Sequence, residues 1–571
     1  MDWKRLDRVR RSANWVELDL IDNYATKRVS RRDFIRRGTI VGLSVPAMGA
    51  VIAACGDDGG SDTNTGGGDG STDNLGVSTG SAFAAGGVVT IGVQPPSSAL
   101  DPVNMLDQGV YNICSQSFEY LVGVGGDGNI APSALATGWT VNESGDEWTV
   151  TLRSGVQWQD GSDFTSADVA ATMDRLALAE NAGLAGVIAE GAVSTPDALT
   201  CVFQLENPNG NFPVLISNFN AQTLITPASF ETGSLLSDTP NGTGPWVLES
   251  YDASGSAIFG KNPNWWGGET LLDGVEIRHF ETTESQITAV ESGAIDMIQQ
   301  FNVIGGEGLL SNGDFTVLTP PASTHRQAWF NTVKPTFSNK LVRQALAWTL
   351  DRERMISTLF NGRAILGNDS PIWSTLPFYD ADAVEQRSRN IDKAKELLAE
   401  AAAESVSADI HFGDVQEVPD LAQLMSQDAA DAGFNLTTAL NSQGTFYDDS
   451  WCPNLGEQPA CPESSEFGIV DWGHRPVPDV FLTSALQSGA VWNASNYADE
   501  GYDQLVTDYQ GAFTVDDQKA AIGQLQAKLW EDVPAIYPYF YNYLSGHNNN
   551  LANVQSTALG HSILTKTSKE A

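Results

Sequence analysis

The chain has 571 residues, 71 of them acidic and 31 basic, for a formal charge of −40. That length exceeds what one hydrophobic core organises, and 41% apolar with 9% aromatic residues excludes wholesale disorder. The negative charge excludes nucleic acid as a partner, five cysteines are too few for a disulfide-dense scaffold, and no run beyond residue 60 reaches the 18 apolar positions of a membrane span.

The charge is uneven. Residues 1–54 hold 11 Lys/Arg against 6 Asp/Glu, leaving 20 against 65 for the rest. Ser30-Arg31-Arg32-Asp33-Phe34-Ile35 resembles a twin-arginine export motif, and a weakly apolar run from Gly38 to Ala54 comes after it. The run ends at Ile52-Ala53-Ala54-Cys55, which resembles a lipobox, where a signal peptide is cut and the cysteine lipidated. A buried core helix explains this run poorly, because Pro46 and several glycines interrupt it. Residues 1–54 are therefore expected to be a lipoprotein leader. The Gly/Ser/Thr/Asp tract over 55–87 cannot bury enough apolar surface to offset its ordering entropy, so it is expected to be a flexible tether.

Beyond Val88 the periodicity alternates between two and 3.6. Trp148, Val150 and Leu152 alternate with polar residues, as in a half-buried strand. Thr165-Ser166-Ala167-Asp168 reads as a capping box opening a helix through Val169, Met173 and Leu176. A second helix is expected from Ser338, with Leu341, Ala345 and Trp348 beside Val342, Leu346 and Leu350. A third, over 392–404, would turn Ala394, Leu397, Leu398 and Ala401 inward. The mixture means an α/β or α+β fold with several sub-domains. With Cys55 lipidated, Cys452 and Cys461 share a loop and are expected to bridge, leaving Cys114 and Cys201 as a second pair by elimination; four cysteines allow three pairings, and sequence does not select one. No Cys-x-x-Cys or paired histidines favour a metal, and no cofactor is expected.

Several segments combine in a fixed order. They include Leu100-Asp101-Pro102, Ser117-Phe118-Glu119-Tyr120-Leu121, Leu152-Arg153-Ser154-Gly155-Val156, Gly242-Thr243-Gly244-Pro245-Trp246, Asn262-Pro263-Asn264-Trp265-Trp266, Ser292-Gly293-Ala294-Ile295-Asp296 and Val342-Arg343-Gln344-Ala345-Leu346. In this order, from about Val88 to Pro538, the chain resembles the family 5 solute-binding proteins, which serve oligopeptide- and dipeptide-type ABC importers. The resemblance implies a two-lobed periplasmic-binding-protein-like fold of type II, with an extra sub-domain inserted in the first lobe. The expected first lobe comprises 88–121, 237–322 and 536–571, the insertion 122–236 and the second lobe 323–535, with hinge crossings near 323 and 536. Individually, the motifs read as turns and core helices, so function is expected in the cleft between the lobes.

The leading cleft candidate is Asp471-Trp472-Gly473-His474-Arg475-Pro476-Val477-Pro478-Asp479. In peptide-binding members an aspartate three residues after the tryptophan pairs with the peptide's amino terminus; here that position is Arg475. Arginine repels an ammonium and favours carboxylate, phosphate or sugar oxygens. The competing reading is a structural ion pair of Arg475 with Asp471 or Asp479. The resemblance adds Thr324, Gln327 and Trp329 at the second-lobe entry and Asp107 and Gln108 at a loop facing the cleft. Trp492 and Tyr497 are further candidate lining residues, with aromatic faces suited to peptide side chains or sugar rings.

Enzyme motifs are missing. The six histidines stand singly, with no His-Glu-x-x-His, no Gly-x-Ser-x-Gly and no phosphate-cradling loop. The expected protein is a monomeric, non-enzymatic receptor, exported and lipid-anchored outside the cytoplasmic membrane. It would deliver a small solute (peptide-like, oligosaccharide or anionic) to ABC permease subunits. The alternative from another class is a secreted hydrolase.

Overall fold

The computed structural model describes residues 76–570 except 79, 81, 97, 104, 106–107, 125–129, 180–183, 185–186, 239, 321, 404, 453–460 and 462. The expected leader over 1–54, with Arg31 and Arg32, and the expected tether from Cys55 as far as residue 75 lie outside the described residues. Among the described residues no helix is long and apolar enough to cross a membrane.

Three sheets organise the described body, within two lobes. The first has seven strands in the spatial order Phe315–Leu318, Leu544–Asn548, Met297–Phe301, Val88–Val93, Gly274–His279, Ser256–Lys261 and Trp246–Tyr251. Val88–Val93 is central and runs parallel to Gly274–His279 and Met297–Phe301. Five of its six residues are buried, the continuous apolar run of a strand covered on both faces. The second sheet orders Ala364–Leu366, Tyr539–Tyr541, Thr324–Phe330, Phe467–Trp472, Val406–Gly413 and Phe434–Asn441, with Ala535–Ile536 also on Thr324–Phe330. A four-stranded sheet of Ala136–Val141, Glu147–Leu152, Thr200–Gln204 and Val193–Asp197 forms the insertion. In Glu147–Leu152, Trp148, Val150 and Leu152 are buried, as the alternation requires.

The helices obey their local signals. Ser166–Ala177 carries the capping box between Thr165 and Asp168, with Val169, Met173 and Leu176 buried. Asn339 caps Lys340–Thr349 through its side chain, two positions later than the expected start. Ile391–Glu400 is capped by Asn390 and buries Ala394, Leu397 and Leu398; Ala401 is the half-buried C-cap.

The sequence motifs meet in the first lobe. Ser117 accepts from the Gly244 amide at 2.9 Å and its hydroxyl donates to the Trp246 carbonyl at 2.9 Å, while Asn262 donates to the Gly244 carbonyl at 2.8 Å. A Cβ on Gly242 would come within 1.8 Å of the Ser117 carbonyl oxygen, so only glycine fits this close approach. Glu119 accepts from the indoles of Trp266 at 2.7 Å and Trp265 at 3.3 Å, and Arg153 lies 4.2 Å over the Trp266 ring. Desolvation pushes the Glu119 carboxyl up to about 7, against the lowering effect of these donors.

Three expectations need correction. Cys452 and Cys461 are bridged, their Cα atoms 4.2 Å apart, but Cys114 and Cys201 are not disulfide-bonded. Each sits as a thiol in apolar packing, Cys114 on helix Gln108–Ser117 and Cys201 on strand Thr200–Gln204, where burial pushes the Cys201 thiol up to about 12. The expected tether over 55–87 does not reach residue 87: Val77 bridges Gln555, and the Ser78 amide donates to the Val554 carbonyl, so residues from Gly76 join the first lobe. The chain leaves the first sheet after Leu318 and enters the second at Thr324, but it returns only between Tyr541 and Leu544. The expected crossing near 536 is displaced because Tyr539–Tyr541 pairs with Ala364–Leu366 and Thr324–His325 in the second sheet.

Candidate functional site

The second-lobe edge near the crossings is built on an antiparallel pair in which His325 lies opposite Trp472 and Arg326 opposite Asp471. On one face, the Trp472 indole donates to Gln327 Oε1 at 2.8 Å and Gln327 Nε2 donates to the Tyr537 hydroxyl at 2.9 Å. Trp472 also meets Phe481, Trp451 and Trp492 edge-on. On the other face Arg326 forms a buried ion pair with Glu417 at 2.9 Å and lies 4.9 Å over the Tyr541 ring.

Ser323, fully buried at the crossing, organises the segment immediately after Trp472. Its amide donates to His474 Nδ1 at 3.0 Å, its hydroxyl donates to the Arg475 carbonyl at 2.6 Å, and the Arg475 amide donates to that hydroxyl at 2.8 Å. A backbone N–H can only donate, so His474 Nδ1 is the acceptor and a neutral ring carries its proton on Nε2. Burial and then the Arg475 charge push this imidazole down to about 3, which keeps it neutral. Nε2 is buried without a hydrogen-bond partner, and the Phe219 ring meets the imidazole edge-on at 5.5 Å.

Arg475 is half-buried, and among the described residues its guanidinium has one hydrogen bond, from Nη1 to the His474 carbonyl at 2.9 Å. Among the described residues it has no ion pair. The alternative partners are engaged elsewhere: Asp471 accepts from the Tyr447 hydroxyl at 2.7 Å, and Asp479 from Asn211 and Tyr509. Neither acid of the structural-bridge reading is paired with Arg475 among the described residues. Gly473 is exposed beside the Arg475 side chain.

Asp479 belongs to a contact between the insertion and the second lobe. Asn211 Nδ2 lies 3.0 and 3.2 Å from its carboxylate oxygens and 3.0 Å from the Tyr509 hydroxyl, and Asn211 Oδ1 accepts from Gln518 at 3.0 Å. The Gly210 amide donates to the Gln510 carbonyl beside them. Desolvation raises the Asp479 carboxyl above the ordinary range.

The remaining candidates divide. Thr324 adjoins Ser323, and its hydroxyl is buried with no partner. Gln327 and Trp329 are committed to the core, the Trp329 indole donating to the Ser465 carbonyl. Trp492 is half-buried against Trp472. Tyr497 donates to Asp532 at 2.5 Å and packs on Tyr502, which puts it in a different cluster. Gln108 begins helix Gln108–Ser117, and Asp107 lies outside the described residues. Sequence reasoning missed Ser323, Phe219, Asn211, Tyr447 and Tyr509. Only Ser323 had a usable signal, its position one residue before Thr324.

Residues 131–451 match the sequence profile of the bacterial extracellular solute-binding proteins, family 5 Middle. The glutathione-binding protein GsiB of Salmonella paratyphi A is 28% identical over 328 residues, 56% of this chain and 62% of that protein. The alignment thus spans less than two thirds of that relative. Among solved structures, the ABC transporter-associated periplasmic binding protein DppA from Helicobacter pylori, in complex with the peptide STSA, superposes with a TM-score of 0.64 at 21% identity, covering 86% of this chain and 99% of that one. HbpA2 from Haemophilus parasuis gives 0.74 at 19% identity, covering 85% and 100%.

Proposed function

The chain belongs to family 5 of the bacterial extracellular solute-binding proteins, and on that premise we propose that it is the receptor of an ABC importer. It captures a polar, peptide-like solute between its lobes and delivers it to the permease. The observation that carries this reading is the rim at the lobe crossing, where Ser323 holds His474 and Arg475 and Phe219 of the insertion meets His474. Such a site changes shape when the lobes move, so a solute that contacts both lobes shifts the equilibrium toward the closed form. The names of similar proteins support the solute class: a GsiB relative is called glutathione-binding, and the DppA structure holds a tetrapeptide.

In this reading the protein binds without turnover and acts as a monomer. Its leader directs export through Arg31 and Arg32, and a lipid on Cys55 holds it at the outer face of the cytoplasmic membrane, with the residues up to 75 as the tether. Mass spectrometry of small molecules released from the purified protein tests the receptor function, together with solute-dependent stimulation of the permease ATPase in proteoliposomes. Chemical conversion of the released solute by the protein would overturn it in favour of an enzyme. Cys55→Ser is expected to release the protein from the membrane fraction; continued retention refutes the anchor.

A further inference from the structure

We propose that the rim of Ser323, Thr324, His474 and Arg475 reads a carboxylate of the solute, with Ser323 as the residue that positions the donors. The proposal rests on the receptor function above and names the chemical group its site takes.

The inventory of donors and acceptors at this edge is one-sided. His474 offers Nε2–H, because the Ser323 amide occupies Nδ1 at 3.0 Å. Thr324 offers a hydroxyl that is buried with no partner. Arg475 uses one guanidinium nitrogen on the His474 carbonyl, and among the described residues the rest of its fork is not committed. The nearby acceptors are already engaged. Asp471 accepts from Tyr447, Asp479 from Asn211 and Tyr509, Glu417 from Arg326 and Tyr539, and Gln327 from Trp472. A solute ammonium would therefore meet the Arg475 charge, which no carboxylate pairs with among the described residues. A carboxylate accepts only and has about four lone-pair directions, so it complements the planar fork of Arg475 and neutral N–H and O–H donors.

Ser323 gives this set its geometry. Three hydrogen bonds tie it to His474 and to both backbone polar groups of Arg475, and the His325 ring meets the Ser323 carbonyl at 2.7 Å. The imidazole tautomer and the Arg475 backbone are thus set from the chain crossing itself. Lobe movement and solute contact share this residue.

The test uses the full chain stripped of solute, titrated by calorimetry with three pools of one tripeptide set: free termini, C-terminally amidated and N-acetylated. The expected result is a preference for free acid over amide of about 30-fold or more, with N-acetylation tolerated, since a buried charged contact is at stake. Arg475→Ala should bring the acid-over-amide ratio close to one while leaving the melting temperature of the empty protein in place. Arg475→Lys should keep part of the ratio, retaining the charge without the fork. Ser323→Ala should lower the same ratio; a merely structural serine would weaken acid and amide equally and overturn the positioning role. Equal binding of acid and amide, with loss on N-acetylation, overturns the carboxylate reading and leaves the receptor standing. If no pool binds, the co-purified molecule decides. A carboxylate-bearing molecule lost on Arg475→Ala supports the proposal, and a molecule without a carboxylate overturns it. With no co-purified molecule either, the receptor function itself fails and takes the proposal with it.

Discussion

Closure should depend on Asn211, which precedes the short helix Phe212–Leu215 and reaches the second lobe at Asp479, Tyr509 and Gln518. Asn211→Ala removes a charge-assisted hydrogen bond to a desolvated carboxylate, worth about 1.5–3 kcal/mol, and a neutral one from Gln518, worth about 0.5–1.5 kcal/mol. Asp479 is then left with Tyr509 as its side-chain donor. In the open form these groups regain water, so the loss falls mainly on the closed form. A net shift of roughly 2 kcal/mol or more moves the closed-to-open ratio about 30-fold. Small-angle scattering, or fluorescence transfer between labels on the two lobes, should report a more open ensemble, and solute affinity should fall by a comparable factor. Asn211→Asp should be worse, because it sets a second carboxylate against Asp479 at about 3 Å. If Asn211→Ala keeps both the closed fraction and the affinity of the native protein, this contact does not govern closure.

Asp369, fully buried between Arg352 at 2.7 Å and Arg387 at 2.5 Å, should cost about 3–5 kcal/mol of second-lobe stability when changed to Ala, since two guanidinium charges are stranded. The exposed Lys340–Glu531 pair provides the contrast, Glu531→Gln costing about 0–1 kcal/mol in the same urea titration. Glu119 has a folded value of about 7 against an ordinary 4.5. Its contribution is therefore fully present below pH 4.5 and lost as pH rises through 7, up to roughly 3 kcal/mol. Urea midpoints of native protein should fall over that window more than those of Glu119→Gln, and parallel profiles would refute the assignment. Alkylation without reductant should label Cys114 and Cys201 only after denaturation, and peptide mapping should find Cys452 joined to Cys461; a Cys114–Cys201 peptide would contradict the structure.

How much of the fold was legible in the sequence depends on the distance over which each feature is determined. The Thr165–Asp168 box and the alternation of Trp148, Val150 and Leu152 are set by neighbours within a few residues, and they could be read directly. The return crossing could not. Tyr539–Tyr541 and Leu544–Asn548 follow one another within ten residues, and their division between two sheets is decided by Ala364–Leu366 and Met297–Phe301. The thiols misled for a related reason: a buried cysteine and a bridged one look alike until the packing around each is known.

Arg475 shows the limit most clearly. Asp471 and Asp479 lie four residues to either side, so local sequence makes an ion pair as reasonable as a ligand contact. The two readings are separated by the engagement of those acids by Tyr447, Asn211 and Tyr509, from 24 to 268 residues distant along the chain. Whether the Arg475 charge is left for a solute is thus specified less by the arginine than by the remote residues that contact its neighbouring acids. Releasing Asp471 by Tyr447→Phe is the perturbation that would draw Arg475 back into a structural bridge and away from the cleft.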